Sequence, residues 1–224
     1  KVIQGTGIPS PNSINGCNGE KDICDMWYLH FKDLLNSLQD SSLKSKILAQ
    51  VKQKCNSFNL SECLFSQQDV KKAVHNLKKS KSAGLDSISA EHFINSSERV
   101  IVLLCLFLNS CIVPGYLPIH LMDTVLNPIV KDKKGDITDK HNYRPIAITN
   151  ISSKILEILI LEKFGHYLVT TDQQFSFKKD HSTDMCIFAL KETIDYYVSK
   201  SSCVYLCFMD ASKAFDKLNH WFLY

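Results

Sequence analysis

The chain of 224 residues contains no uninterrupted apolar run of the roughly 18 or more residues that a membrane-spanning helix needs. The best candidate, Val100 to Val113, is broken by Cys105, Asn109 and Ser110 and followed by Pro114, so it reads as a buried helix and no membrane partner is expected. No Cys-x-x-Cys pair occurs among the nine cysteines. The closest pair, Cys203 with Cys207, lies in a strand-like run at a spacing that does not suit structural zinc. An odd number of cysteines, several inside apolar segments, reads as reduced thiols in an intracellular protein. Arginine is scarce, with only Arg99 and Arg144. The chain opens at Lys1 without an initiator Met, a signal-type apolar block or a cleavage site, and the expectation is a piece of something longer. There is no internal repeat and no low-complexity segment.

What is present is a globular composition, 45% hydrophobic, with a formal net charge of +3. So small an average does not establish nucleic-acid binding. Its distribution says more: lysines cluster at 71, 72, 78, 79 and 81, at 131, 133, 134 and 140, and at 178 and 179. Such clusters fit either a solvated face or a phosphate-binding one.

Residues 1–20 are rich in Gly, Pro, Ser and Asn and read as a linker. A helix carrying Trp27, Phe31, Leu34, Leu35 and Leu38 follows, with Asp22 or Asp25 near its positive end. Ser66 with Asp69 marks a capping box ahead of the stripe Val70, Ala73, Val74 and Leu77. Gly84 forces a turn before a helical pattern resumes at Glu91, and a helix apolar nearly all round spans about 97–113. Met122 to Lys131 and Tyr143 to Ile148 read as an antiparallel strand pair, placed near sheet edges by Pro128 and Pro145. Ser152 or Ser153 is expected to cap a long helix with Ile155, Leu156, Leu159, Ile160, Phe164 and Tyr167 inward. Ser182 caps another, with Ile187, Leu190, Ile194 and Val198 recurring at helical spacing. Cys203 to Met209 reads as a buried strand that ends in Asp210.

A carboxylate where a buried strand leaves the core is held on rigid backbone and half desolvated, so its charge requires a partner such as a cation. Hard oxygen ligands suit Mg²⁺, and two ions about 4 Å apart would activate an attacking oxygen and steady a leaving group. The plain alternative for Asp210 is a loop start or helix N-cap.

The stretch Phe208-Met209-Asp210-Ala211-Ser212-Lys213-Ala214-Phe215-Asp216-Lys217-Leu218-Asn219-His220 resembles polymerase motif A of non-LTR (LINE-like) retrotransposon reverse transcriptases, F-x-D-x-x-K-A-F-D-x-V-x-H. By that resemblance Asp210 is a catalytic metal ligand and the Ala211 carbonyl an extra contact. Phe215 matches the bulky residue beneath the sugar of the incoming nucleotide, while Lys213, Asp216 and His220 match as structural residues. Upstream, Asn142-Tyr143-Arg144-Pro145-Ile146-Ala147-Ile148 with Ser153-Lys154-Ile155-Leu156-Glu157 resembles the family block N-Y-R-P-I-S-L…S-K-(I/V)-x-E. The resemblance implies that Arg144 and Lys131 hold the triphosphate of a dNTP, a role for which arginine's planar fork is suited. Lys81 to Glu91 is similar to K-x-x-x-A-G-x-D-x-(I/L)-x-x-E, where Lys81 and Gly84 would approach template phosphates. Gln174 to Thr183 resembles Q-x-G-F-R-x-G-x-S-T, with Lys178 and Lys179 as further template contacts; Ser176 and Asp180 stand where glycines are usual, which hints at a decayed copy.

The four ordered blocks imply an α+β partial right-hand polymerase: a linker and connector helix in 1–62, fingers in 63–200 with a small antiparallel sheet, and the first palm strand in 201–224, the palm incomplete and the thumb absent. The parent activity would be RNA-directed DNA synthesis on a primer 3′-hydroxyl with two Mg²⁺, an RNA template, a DNA primer and dNTP. The resemblance also implies an endonuclease domain in the parent and a nuclear and cytoplasmic location. One carboxylate leaves a metal pair unsupported, so this stretch alone is expected to be inactive. A phosphatase-like nucleophile at Asp210 is disfavoured by Ser212, where that chemistry wants a second acid. A non-enzymatic nucleic-acid-binding remnant stands as the other reading.

Overall fold

The computed structural model describes residues 11, 13–36, 41–55, 64–178, 180–211, 214–219 and 221. The chain forms two compact units, Lys1–Leu159 with Lys213–Tyr224, and Ile160–Ser212. The architecture is mixed helix and small antiparallel sheet, in keeping with the α+β expectation.

The larger unit begins with a short ribbon, β1 (Ser13–Ile14) paired with β2 (Cys17–Asn18), whose turn places Gly16 at φ +80°. Helix α1 (Glu20–Leu35) follows, with Glu20 and Asp22 at its positive end. Trp27 and Phe31, one helical turn apart, are its buried residues and stack at 5.2 Å between ring centroids. Leu38 lies outside the described residues. After α2 (Ser41–Cys55) comes α3 (Gln67–His75), whose capping box is present as expected: the Ser66 hydroxyl accepts from Asp69 N–H, and the Asp69 carboxylate accepts from Ser66 N–H. Val70, Ala73 and Val74 are buried along one face of α3.

Helices α4 (Ala90–Ile94) and α5 (Glu98–Ile112) complete a layer around the main core. Asn109 ties α5 to the entry of α3, its carboxamide accepting from Phe65 N–H and donating to Phe65 C=O, each at 2.9 Å. The expectation that α5 is buried all round does not hold. Ile101, Leu104, Cys105, Leu108 and Cys111 face the core, whereas Leu103 and Leu106 are 65% and 62% exposed. Packing from α3, α4 and the stretch from Ile151 to Leu159 occupies only one side of the cylinder.

A short helix α6 (Ile119–Met122) leads into β3 (Thr124–Val130), which pairs antiparallel with β4 (Tyr143–Thr149). The register sets Ile129 opposite Arg144 and Pro128 opposite Pro145. Lys131 N–H donates to Asn142 C=O at 2.7 Å, so bonded rungs alternate from there and the Pro128–Pro145 rung is a non-bonded one. Neither proline therefore removes a bond from the ladder. Their missing N–H groups would have faced outward, where another strand would dock.

Helix α7 (Ile151–Phe164) already includes both expected caps, Ser152 and Ser153, within its first turn. The Asn150 carbonyl accepts from Ser153 and Lys154 N–H, while the Ser153 hydroxyl instead donates to Leu121 C=O. Ile155, Leu156 and Leu159 are buried as the spacing predicts, and Ile151, ahead of the expected start, is buried with them. Ile160 and Tyr167 are not, at 39% and 74% exposure.

The smaller unit holds α8 (Thr183–Ser199), capped as expected by the Ser182 hydroxyl, which accepts from Met185 N–H at 3.3 Å. None of its residues is buried. The run Cys203–Met209 corrects the sequence expectation of a buried palm strand: it joins no ladder among the described residues, and Tyr205 and Met209 are 92% and 95% exposed. A strand exists only through a partner's N–H and C=O groups, and no described strand supplies them.

Gly84 shows how the layers lock. A Cβ there would stand 2.9 Å from Asn150 Cα and 3.0 Å from Asn150 N, backbone atoms that cannot swing aside. Gly84→Ala should therefore destabilise the chain by about 1–3 kcal/mol, the usual range for overpacking, measured by denaturant unfolding; an unchanged midpoint would show that the 81–86 segment does not rest on the start of α7.

Candidate functional site

The clearest concentration of site residues is the tip of the β3–β4 hairpin. Side chains alternate between faces of a strand, so Arg144 and its cross-strand neighbour Ile129 share one face, and Lys131 falls on the same face beyond the strand end. Tyr143 takes the opposite face, where its ring lies 4.9 Å from Trp27. The hairpin thus brings Lys131 and Arg144 together and packs its back against α1.

The loop joining the strands carries Lys133, Lys134 and Lys140 beside Asp132, Asp136 and Asp139. Each of these carboxylates accepts from a nearby backbone amide: Asp132 from Lys134, Asp136 from Thr138, Asp139 from His141, at 2.8–2.9 Å. Asp136 also accepts from the Thr138 hydroxyl at 2.7 Å, and these two bonds hold its pKa below the ordinary carboxylate value. Among the described residues, none of the tip's lysines nor Arg144 forms an ion pair. The tip presents cations while its acids are occupied by backbone. Tyr143 O–H donates to Ile137 C=O at 2.7 Å; burial, then nearby Asp136, raises the Tyr143 pKa.

Lys81 and Gly84 sit at the other end of the hairpin, since Gly84 abuts Asn150 immediately after β4. Seven-residue strands separate the two ends by about 20 Å. Asn150 is itself buried, and its Nδ2 donates to His120 C=O at 2.8 Å while its Oδ1 has no donor. The segment before Gly84 is held by Glu91, whose carboxylate accepts from Ser80 N–H where Ser80 adopts φ +58°. That bond, with contributions from Glu91's own amide and the Ser89 hydroxyl, lowers the Glu91 pKa.

Phe215 is 74% exposed in the larger unit. In the smaller unit, Asp210 and Ala211 are exposed. Among the described residues no three His, Cys, Asp or Glu side chains come together as a metal-binding group. Lys178 is drawn back onto its own loop, its Nζ 3.4 Å from Thr171 C=O and 3.3 Å from Asp172 Oδ1. Lys179 lies outside the described residues. Asp180, which the resemblance sets in place of a glycine, adopts φ +60°, a left-handed conformation that aspartate tolerates better than most residues.

Sequence reading singled out neither Asn142 nor Asn150 as a functional position. Asn142 stands in the quoted N-Y-R-P block, and the Asp- and Gly-rich loop before it was the available signal that a side-chain amide would be needed to close a turn. An apolar groove of about 920 Å³ runs between α1 and the hairpin, lined in part by Trp27, Phe31, Leu126 and Tyr143.

No helix among the described residues is long and apolar enough to cross a membrane. No family model matches the chain. Over 161 residues it is 26% identical to the RNA-directed DNA polymerase from mobile element jockey of Drosophila funebris. Over 158 residues it is 26% identical to the probable RNA-directed DNA polymerase from transposon BS of Drosophila melanogaster. Each alignment covers 68% of this chain and 17% of the relative, so the chain spans under a fifth of the length of the curated relatives it matches.

The Glu91 contact is testable by pH. Because the folded-state pKa is lowered, the Ser80–Glu91 bond is intact at higher pH and is lost as pH falls through that lowered value. The Ser80 amide resonance should follow this titration. Glu91→Gln, which keeps an acceptor but cannot ionise, should abolish the pH dependence, and a titration persisting in that variant would assign it to another group.

Proposed function

The chain is similar to the reverse transcriptases of non-LTR mobile elements; from that premise we propose that it is the fingers and motif A portion of an RNA-directed DNA polymerase, adding dNTPs to a primer 3′-hydroxyl on an RNA template. The observation that supports this most is the hairpin register. It sets Arg144 and Lys131 on one face, two cations without a carboxylate partner among the described residues, as recognition of a polyphosphate requires.

In this reading the Arg144 guanidinium grips two phosphate oxygens of the dNTP as a fork and Lys131 adds a point charge. Asp210 offers one hard oxygen ligand of the kind Mg²⁺ takes, and the Ala211 carbonyl a second. A pair of Mg²⁺ ions, when bound, supplies activation of the 3′-oxygen and stabilisation of the departing pyrophosphate. Among the described residues no three metal-ligating side chains come together, and this reading assigns the remaining ligands to other parts of the polymerase. Phe215 lies beneath the sugar and excludes a 2′-hydroxyl by bulk. Lys81, Gly84, Lys178 and Lys179 line the template path. A DNA primer, location in nucleus and cytoplasm, and fusion to an endonuclease domain belong to the same proposal.

Two outcomes follow. Asp210→Asn in the polymerase that carries this chain should reduce primer extension on an RNA template to background with the melting temperature unchanged, and full activity would remove the assignment; the 224 residues alone should not extend a primer. Phe215→Val should admit ribonucleotides in a single-nucleotide incorporation assay, and undiminished sugar discrimination would remove Phe215 from the pocket.

A further inference from the structure

We propose that Asn142 is a positioning residue that holds Lys131 and Arg144 at the spacing a polyphosphate requires, a proposal that rests on the reading of those two cations as triphosphate contacts. A carboxamide has one oxygen to accept with and two N–H groups to donate. Asn142 uses all of them on the loop it closes. Its Oδ1 accepts from Asp132 N–H at 2.9 Å, and its Nδ2 donates to Asp132 C=O at 2.9 Å and to Asp136 C=O at 3.0 Å. The backbone completes the ring, since Asn142 C=O accepts from Lys131 N–H.

The position tolerates no close substitute. Aspartate has the same shape but no donor, and would turn a carboxylate toward two carbonyl oxygens. Glutamine adds a methylene that would carry its amide past the Asp132 N–H and the two carbonyls that Asn142 reaches. The rest of the loop is fixed from behind: Ile137 C=O accepts from Tyr143 O–H, and Thr138 C=O accepts from Asn15 N–H, each at 2.7 Å.

The bearing on the cations is direct. Lys131 precedes Asp132, both of whose backbone groups Asn142 grips, and Arg144 follows Asn142 by two residues on β4. Clamping the Asp132 peptide therefore fixes the lysine's origin relative to the arginine's strand before any ligand arrives. A pre-set pair avoids the ordering cost that a loose loop would incur on binding.

The test titrates the 224-residue chain with inorganic tripolyphosphate, without magnesium, while following amide exchange at Asp132 and Thr138. In the wild-type chain Lys131→Ala and Arg144→Ala should each weaken binding. Asn142→Ala and the isosteric Asn142→Asp should weaken it about 10-fold, with faster exchange at Asp132. In a Lys131→Ala background the Asn142 effect should largely vanish, because a positioning residue acts only through the group it positions. Helical signals from α3 and α5 report folding; should Asn142→Ala disturb them, Asn142→Asp and Tyr143→Phe carry the test. Undiminished affinity in Asn142→Asp with a loosened loop, while Lys131→Ala still weakens binding, overturns the positioning role and leaves the triphosphate reading standing. No wild-type binding, with Lys131→Ala and Arg144→Ala equally inert, overturns that reading and the positioning role with it.

Discussion

A two-stranded ribbon has no third strand to steady it, and in water such a ribbon alone is at best marginally stable. The β3–β4 hairpin keeps its shape because something other than sheet holds it. Trp27 of α1 packs on Tyr143 from one face, and the carboxamide of Asn142 gathers the loop at the tip. At the base, Asn150 ends β4, starts α7 and meets Gly84. Each support acts at a different point along the ribbon, and the proposed phosphate-binding cations stand where the first two converge.

The same device appears twice. Asn109 takes both the N–H and the C=O of Phe65, and Asn142 takes both groups of Asp132. In each case one short, planar side chain replaces what a neighbouring strand would supply, satisfying a peptide that would otherwise be stranded beside the core or exposed in a long loop. These contacts are specific to the amide group, which explains how a protein with little sheet holds its loops.

Much of this was legible in residues alone. The helix stripes, the Ser66–Asp69 box, the Ser182 cap and the strand pair with its prolines follow from local rules: periodicity, side-chain hydrogen bonding to nearby N–H groups, and proline's missing donor. What escaped was set by distant partners. Ile160 and Tyr167 continue the α7 spacing yet stay exposed, because spacing says which face is apolar and not how far the covering layer extends. Val204 to Met209 has the composition of a strand, but composition cannot provide the ladder. At the site, the pairing of Lys131 with Arg144 could be inferred from two strands and a turn. The hold that Asn142 exerts was signalled only by the Asp- and Gly-rich loop before it, since which peptide groups an amide reaches depends on the path of that loop.

The uncovered run from Val204 to Met209 has a consequence for handling the molecule. Six successive apolar residues, free of charge and of proline and with Tyr205, Phe208 and Met209 largely open to solvent, are the sort of edge on which a neighbouring molecule can zip. The prolines that blunt the hairpin have no counterpart there. Self-association through this segment would make yield and solubility respond to a single charged substitution within it, and would limit working concentration before any chemistry does.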